Sequence, residues 1–177
     1  MHDKKRPSAS EVWPDQVFEV LKGAEIRHVA YVPDSGAARL IERAIAEPGM
    51  QASVLTTEEE GIGLLAGAWL GGERGVLLMQ SSGVGNCINT LSLVQNCRFP
   101  LLTLVTMRGE WAEFNAWQTP MSKVTAGSLE MMDISVYRVD EPEAASEVVA
   151  AAINTVFNGD LGAAVLLSQR MIGKKEW

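Results

Sequence analysis

Apolar residues recur along this chain in two rhythms. Short runs at residues 26–32, 51–56, 76–79, 100–106, 135–139 and 163–168 are rich in Val, Leu, Ile and Ala, without strict alternation. Between them, apolar positions return every three or four residues, as on one face of a helix. Residues 11–22 place Val12, Val17, Phe18 and Leu21 on one such face, with Ser10 as a plausible N-cap and Gly23 as a stop. Further helices are expected over 37–46, 57–70, 87–96, 120–132 and 141–158. Strand, turn and helix alternate throughout. Strands that are apolar on both faces belong to a parallel sheet covered on both sides. The expected fold is α/β: three layers, α/β/α, around a mainly parallel sheet of about six strands. Residues 11–170 read as one domain, 1–10 as a disordered lead-in and 171–177 as a short tail.

Three stretches interrupt the rhythm. Pro33-Asp-Ser-Gly36 is a turn by composition. Gln80-Ser-Ser-Gly-Val-Gly-Asn86 is a glycine-rich strand-to-helix turn. Residues 107–119 form a long loop with Trp111, Phe114 and Trp117 among polar neighbours. In an open parallel sheet, ligands gather beyond the C-terminal strand ends. These loops, with Thr56–Glu60, share that edge.

Thr57-Glu-Glu-Glu-Gly61 opens a helix whose remaining residues are nearly all small or apolar. Capping explains part of the acidic triplet. Thr57 can cap the helix, Glu60 can close a capping box, and all three carboxylates favour the positive helix end. Glu59, on the side leading to Gly63 and Ala66, has no capping duty.

Composition narrows the chemistry. A net charge of −7 argues against nucleic acid or an anionic membrane as the main partner. No apolar run reaches the roughly 18 residues of a membrane span, and no signal core follows the charged N-terminus. Cys87 and Cys97 fit no metal or redox spacing and read as reduced thiols; the expected compartment is the cytoplasm. His2 and His28 are the only histidines, and His28 falls within an expected strand, which disfavours a Ser-His-Asp triad. No residues have metal-ligand spacing. Gly83-Val-Gly85 lacks both a Walker lysine and the full dinucleotide spacing, so a phosphate loop and a plain tight turn both stand.

The set Tyr31-Val-Pro-Asp-Ser35, Thr57-Glu-Glu-Glu-Gly61, Gln80–Asn86, Arg108-Gly-Glu110 and Gln118 resembles the pyrimidine-binding domain of thiamine-diphosphate-dependent 2-oxo acid decarboxylases. The sulfopyruvate/phosphonopyruvate decarboxylase group, with its separate alpha subunit, is the most similar. The resemblance runs from about Val12 to Ser168. It implies that a helix-opening glutamate, Glu59 by the register of Gly61, Ala66, Ala68 and Trp69, hydrogen-bonds N1′ of the aminopyrimidine. It further implies that Asp34 and Gln118 act at the reacting centre. Pro33, Gly83, Gly85 and Asn86 would line the cofactor, and Ser35, Arg108, Gln118 and Trp117 the substrate. The family's Mg²⁺ and diphosphate motif is absent. The resemblance therefore implies a beta subunit that carries that domain, an assembly of α2β2 or larger, and a small 2-oxo acid as substrate. Trp111 and Trp117 suggest a larger or more aromatic acid than sulfopyruvate, or else loop packing. A non-catalytic subunit of the same fold and a nucleotide-binding domain stand as alternatives.

Overall fold

The computed structural model describes residues 9–173. Six strands form one sheet: β1 (Ile26–Tyr31), β2 (Gln51–Val54), β3 (Arg74–Gln80), β4 (Leu101–Thr106), β5 (Ser135–Val139) and β6 (Gly162–Leu167). Their order is β2-β1-β3-β4-β6-β5, and every neighbouring pair is parallel. This is the sheet that unalternating apolar strands require. Along β3, Val76 and Leu78 pack into one core, and Leu77 and Met79 into the other. The buried Thr103 of β4 donates its hydroxyl to the Leu77 carbonyl at 3.0 Å, which removes its cost in an apolar strand.

Helices α1 (Ala9–Gly23), α2 (Ala38–Ala46) and α7 (Ala145–Gly159) cover one face. Helices α3 (Glu58–Leu70), α4 (Ser81–Cys87), α5 (Ser92–Cys97) and α6 (Thr119–Met131) cover the other. A last short helix, α8 (Gln169–Ile172), follows β6. Among the described residues, no helix is long and apolar enough to cross a membrane.

Several boundaries differ from the sequence reading. Helix α1 begins at Ala9, one residue ahead of the expected cap Ser10. The first eight residues of the expected lead-in, and residues 174–177 of the tail, lie outside the described residues. The described part of the tail begins in α8, where Met171 is buried. The glycine-rich stretch after β3 is helix α4 rather than a turn. The expected helix over 87–96 is instead the end of α4, a break and then α5.

The outer surfaces of the two helical layers differ. On the α1/α2 side, Asp15 meets Arg39 at 3.1 Å and Arg43 at 2.7 Å, Arg43 meets Glu19 at 2.7 Å, and Lys22 meets Glu47 at 2.7 Å. The α3/α6 side presents Gly63, Gly67 and Leu70 from α3, and Val124 and Met131 from α6. Helix α3 is thus buried on one face only.

Candidate cofactor and substrate site

The chain leaves β1 for β2 at one side of the sheet and leaves β3 for β4 at the other. The β1/β3 boundary is therefore a topological switch point, where loops diverge and a crevice opens. Asp34 stands just beyond β1. Its carboxylate accepts from the Gln80 amide at 2.5 Å and from the Thr106 hydroxyl at 2.6 Å, which ties together the ends of β1, β3 and β4. Pro33, Asp34 and Ser35, with Tyr31 and Ile41, line a shallow cleft of about 370 Å³ at this edge.

Helix α3 separates the three acids by direction. Glu58 falls on the same face as Ile62 and Leu65, and that face is buried. Glu58 is only 8% exposed. Its Oε2 accepts from the Asn86 side-chain amide at 2.8 Å. A Cβ added to Gly83 would lie 2.4 Å from its Oε1, so only glycine lets this carboxylate reach the α4 backbone. Glu59 is exposed. The sequence reading expects Glu59 to meet the aminopyrimidine; in the structure the acid beside the glycine-rich stretch is Glu58. Glu60 reaches back to the Thr56 N–H at 2.8 Å, one residue short of a capping box, and the Thr57 side chain makes no cap bond. Burial, followed by the charges of Glu58 and Glu59, pushes the Cys87 thiol up to about 12, so it stays protonated.

Arg108 stands two residues beyond β4 with its side chain 7% exposed, beside a Glu113 side chain that is 5% exposed. Its Nε donates to Glu113 at 2.8 Å and its Nη2 at 2.6 Å, a bidentate pair. The N–H groups of Gly109 and Asn115 and the Gln169 amide also donate to this carboxylate. Arg108 first, then the amide donors, hold the Glu113 carboxyl down at about 2. Arg108, expected to meet a substrate anion, has its fork on Glu113 in this structure.

The same clamp shapes the loop as far as α6. The Gln169 side-chain oxygen, Oε1, accepts from the N–H groups of Glu110 and Trp111. Gly109 adopts φ +76°, and a Cβ there would lie 2.7 Å from the Gln118 carbonyl oxygen. Above it, Gln118 Oε1 is buried without a hydrogen-bond partner. Trp117 stands 87% exposed at the rim. With Ala116, Pro120, Met121 and Val124 it lines an open groove of about 730 Å³. Met121 joins this groove to α4, because its sulfur lies 3.2 Å from where a Cβ on Gly85 would stand.

The structure thus brings Gly83, Gly85 and Asn86 beside Glu58, and Gln118 and Trp117 beside the adjoining groove. Pro33 and Ser35 line the separate cleft under Asp34. Glu113, Gln169, Gln80 and Thr106 carry no motif, and only their partners in space reveal them. A buried carboxylate opposite a glycine, and a buried unpaired amide oxygen, fit a flat heterocycle with hydrogen-bonding edges such as an aminopyrimidine. Among the described residues, no group of three or more His, Cys, Asp and Glu could hold a metal ion.

Comparison with known proteins gives the family. The family "Thiamine pyrophosphate enzyme, N-terminal TPP binding domain" matches residues 14–126. The sulfopyruvate decarboxylase alpha subunit of Methanococcus maripaludis is 32% identical over 86% of this chain and 92% of its own. That of Methanothermobacter thermautotrophicus is 32% identical over 86% and 93%. Phosphonopyruvate decarboxylase of Streptomyces viridochromogenes is 37% identical over 64% of this chain but only 29% of its own. The fold superposes on 2-oxoglutarate:ferredoxin oxidoreductase from Magnetococcus marinus with a TM-score of 0.70 at 12% identity, covering 90% of this chain and 29% of that one. The chain belongs to the N-terminal pyrimidine-binding domains of thiamine-diphosphate enzymes and is homologous to the alpha subunits of sulfopyruvate decarboxylase.

Proposed function

We propose that this chain is the alpha subunit of a two-component thiamine-diphosphate-dependent decarboxylase of a 2-oxo acid, and that Glu58 serves the aminopyrimidine. The observation that carries the reading is the Glu58 carboxylate, buried against Gly83 and held by Asn86. Glu58 would hold a proton at N1′ of the pyrimidine. Asn86 fixes the orientation of its carboxylate. Gly83 leaves room for the Glu58 carboxylate against the α4 backbone. When bound, thiamine diphosphate supplies the cationic ring that accepts the electron pair left as the bond to the carboxyl carbon breaks. Asp34, held by Gln80 and Thr106, sets the charge at the sheet edge, and Gln118 offers its free oxygen to a donor.

A beta subunit would supply the diphosphate and Mg²⁺ site and would dock on the α3/α6 layer. Support for that docking face comes from its exposed Gly63, Gly67, Leu70, Val124 and Met131, in contrast to the ion-paired α1/α2 face. The proposed assembly is α2β2 or larger.

The test uses the chain co-purified with its partner subunit, thiamine diphosphate and Mg²⁺. Glu58→Gln is expected to lower kcat for decarboxylation about 10²- to 10⁴-fold with association intact. Glu59→Gln is expected to stay within about two-fold. The reverse result would return the role to Glu59. Full activity in both variants would point to a non-catalytic subunit.

A further inference from the structure

We infer that Gln169 is a positioning residue: from α8 it holds the loop over 109–118 in place, and through that loop it sets where Gln118 stands for the substrate. The inference rests on the function proposed above, in which Gln118 offers its oxygen to the reacting molecule.

Gln169 is 2% exposed, and both polar atoms of its side chain are engaged. Its Oε1 accepts from the N–H groups of Glu110 at 2.9 Å and Trp111 at 3.0 Å. Its Nε2 donates to Glu113 Oε2 at 2.9 Å. Its backbone N–H donates to Glu110 Oε2 at 3.2 Å. One residue thus grips the loop at Glu110, Trp111 and Glu113. The side chain needs an acceptor and a donor on one planar group; a carboxylate cannot donate, and an ammonium cannot accept. The ionisable groups around it are Glu110 and Glu113, each already paired: Glu110 with Arg138 at 2.8 Å, and Glu113 with Arg108 at 2.6 Å. Asp140 shares Arg138 at 3.0 Å, and Arg170, next along α8, is exposed.

The grip carries on to Gln118. Glu113 Oε1 accepts from the Asn115 N–H at 2.9 Å, and the Asn115 carbonyl accepts from the Gln118 N–H at 3.0 Å. The Asn115 side chain accepts from the Trp117 N–H at 3.2 Å. At the other end of the loop, Gly109 lies against the Gln118 carbonyl, where a Cβ would stand 2.7 Å away. Gln118 Oε1 is buried without a partner, so its place is set by this scaffold and not by a bond of its own. Helix α8 is itself fixed. Ser168 caps it by accepting from the Met171 N–H at 3.3 Å, and Met171 is buried. Ile172 Cδ1 lies 3.1 Å from where a Cβ on Gly36 would stand, in the turn that carries Asp34. One short helix therefore registers the Gln118 loop against the Asp34 turn.

Gln169→Glu is the probe. Protonated, the new carboxyl reproduces the amide: its carbonyl accepts from the two N–H groups and its O–H donates to Glu113. Ionised, it adds a third carboxylate beside Glu110 and Glu113 and has no proton to donate. The experiment measures kcat/KM of the complex co-purified with its partner subunit, thiamine diphosphate and Mg²⁺, for pyruvate, phenylpyruvate and sulfopyruvate between pH 8 and pH 5.5. Relative to wild type, Gln169→Glu is expected to lose about 10²-fold at pH 8 and to recover to within about three-fold at pH 5.5. Gln169→Leu, which can neither accept nor donate, is expected to lose about as much at every pH. In a Gln118→Ala background the pH 8 penalty of Gln169→Glu is expected to shrink to about three-fold or less, because the residue it acts through is gone. Amide exchange read by mass spectrometry follows the loop without turnover: residues 109–118 of Gln169→Glu should exchange faster than wild type at pH 8 and at the wild-type rate at pH 5.5. Wild-type kcat/KM in Gln169→Leu or in Gln169→Glu at pH 8 overturns the inference while sparing the decarboxylase reading. So does a Gln169→Glu loss that ignores pH, survives undiminished in Gln118→Ala, or comes with unfolding or release of the partner subunit on gel filtration. A wild-type complex that turns over none of the three acids overturns the decarboxylase reading and this inference together.

Discussion

The Arg108–Glu113 pair makes a prediction that needs no ligand. Glu113→Gln keeps the shape of the side chain but removes the charge that Arg108 faces. In the wild type the carboxyl titrates at about 2 when folded, against an ordinary 4.5. At about 1.4 kcal/mol for each factor of ten in proton affinity, that difference corresponds to roughly 3 kcal/mol of stability. Its sign follows from a folded value below the unfolded one. The stabilisation is complete above about pH 4.5 and fades as the pH falls toward 2. The variant also leaves a buried guanidinium unpaired, so its loss at pH 6 is expected to be at least about 3 kcal/mol. Urea unfolding of the purified chain, followed by circular dichroism at pH 6, 4 and 3, provides the assay. The gap between wild type and Glu113→Gln is expected to narrow by about 2 kcal/mol between pH 6 and pH 3, because only the wild type loses the ionised carboxylate's advantage. A gap that is independent of pH, or a variant as stable as the wild type at pH 6, refutes the clamp.

Other expectations follow from single residues. Gly109→Ala combines φ +76° with a Cβ 2.7 Å from the Gln118 carbonyl oxygen, and is expected to cost about 2 kcal/mol or more in the same unfolding assay. Gly83→Ala would drive a methyl group into the Glu58 carboxylate; it should weaken thiamine diphosphate binding to the complex, measured by calorimetry, with little change in far-UV circular dichroism. Cys97 is exposed, whereas Cys87 is buried and titrates at about 12, so one thiol should react promptly with a disulfide reagent at pH 8 and the second only on unfolding.

The fold was legible because its signal is redundant. Each strand is apolar on both faces, each connection is long enough for a helix, and the all-parallel order follows from those two facts. Locally the reading failed where composition and tertiary packing disagree. Two serines and two glycines within residues 81–85 read as a turn, yet residues 81–87 are helical because Val84 and Cys87 are fully buried against the sheet and reward the helical register. Nor could the sequence announce that Arg108 is spent. Glu113 is five positions away but Glu110 only two, and the pairing depends on Gln169 arriving from beyond β6.

The burial of the acidic triplet was readable from helix phase. Successive residues of a helix point about 100° apart, so three adjacent acids cannot share a face. The buried side of α3 is fixed by Ile62 and Leu65, four and seven positions after Glu58. Four positions after Glu59 stands Gly63, which has nothing within 4 Å of an added Cβ, and so that line of the helix faces outward. Periodicity alone therefore assigns Glu58 to the interior and Glu59 to the surface. It cannot say what a buried carboxylate meets there. In this chain it meets Asn86 and the bare Cα of Gly83 from a neighbouring helix, and that meeting makes the acid a candidate for chemistry and not only for capping.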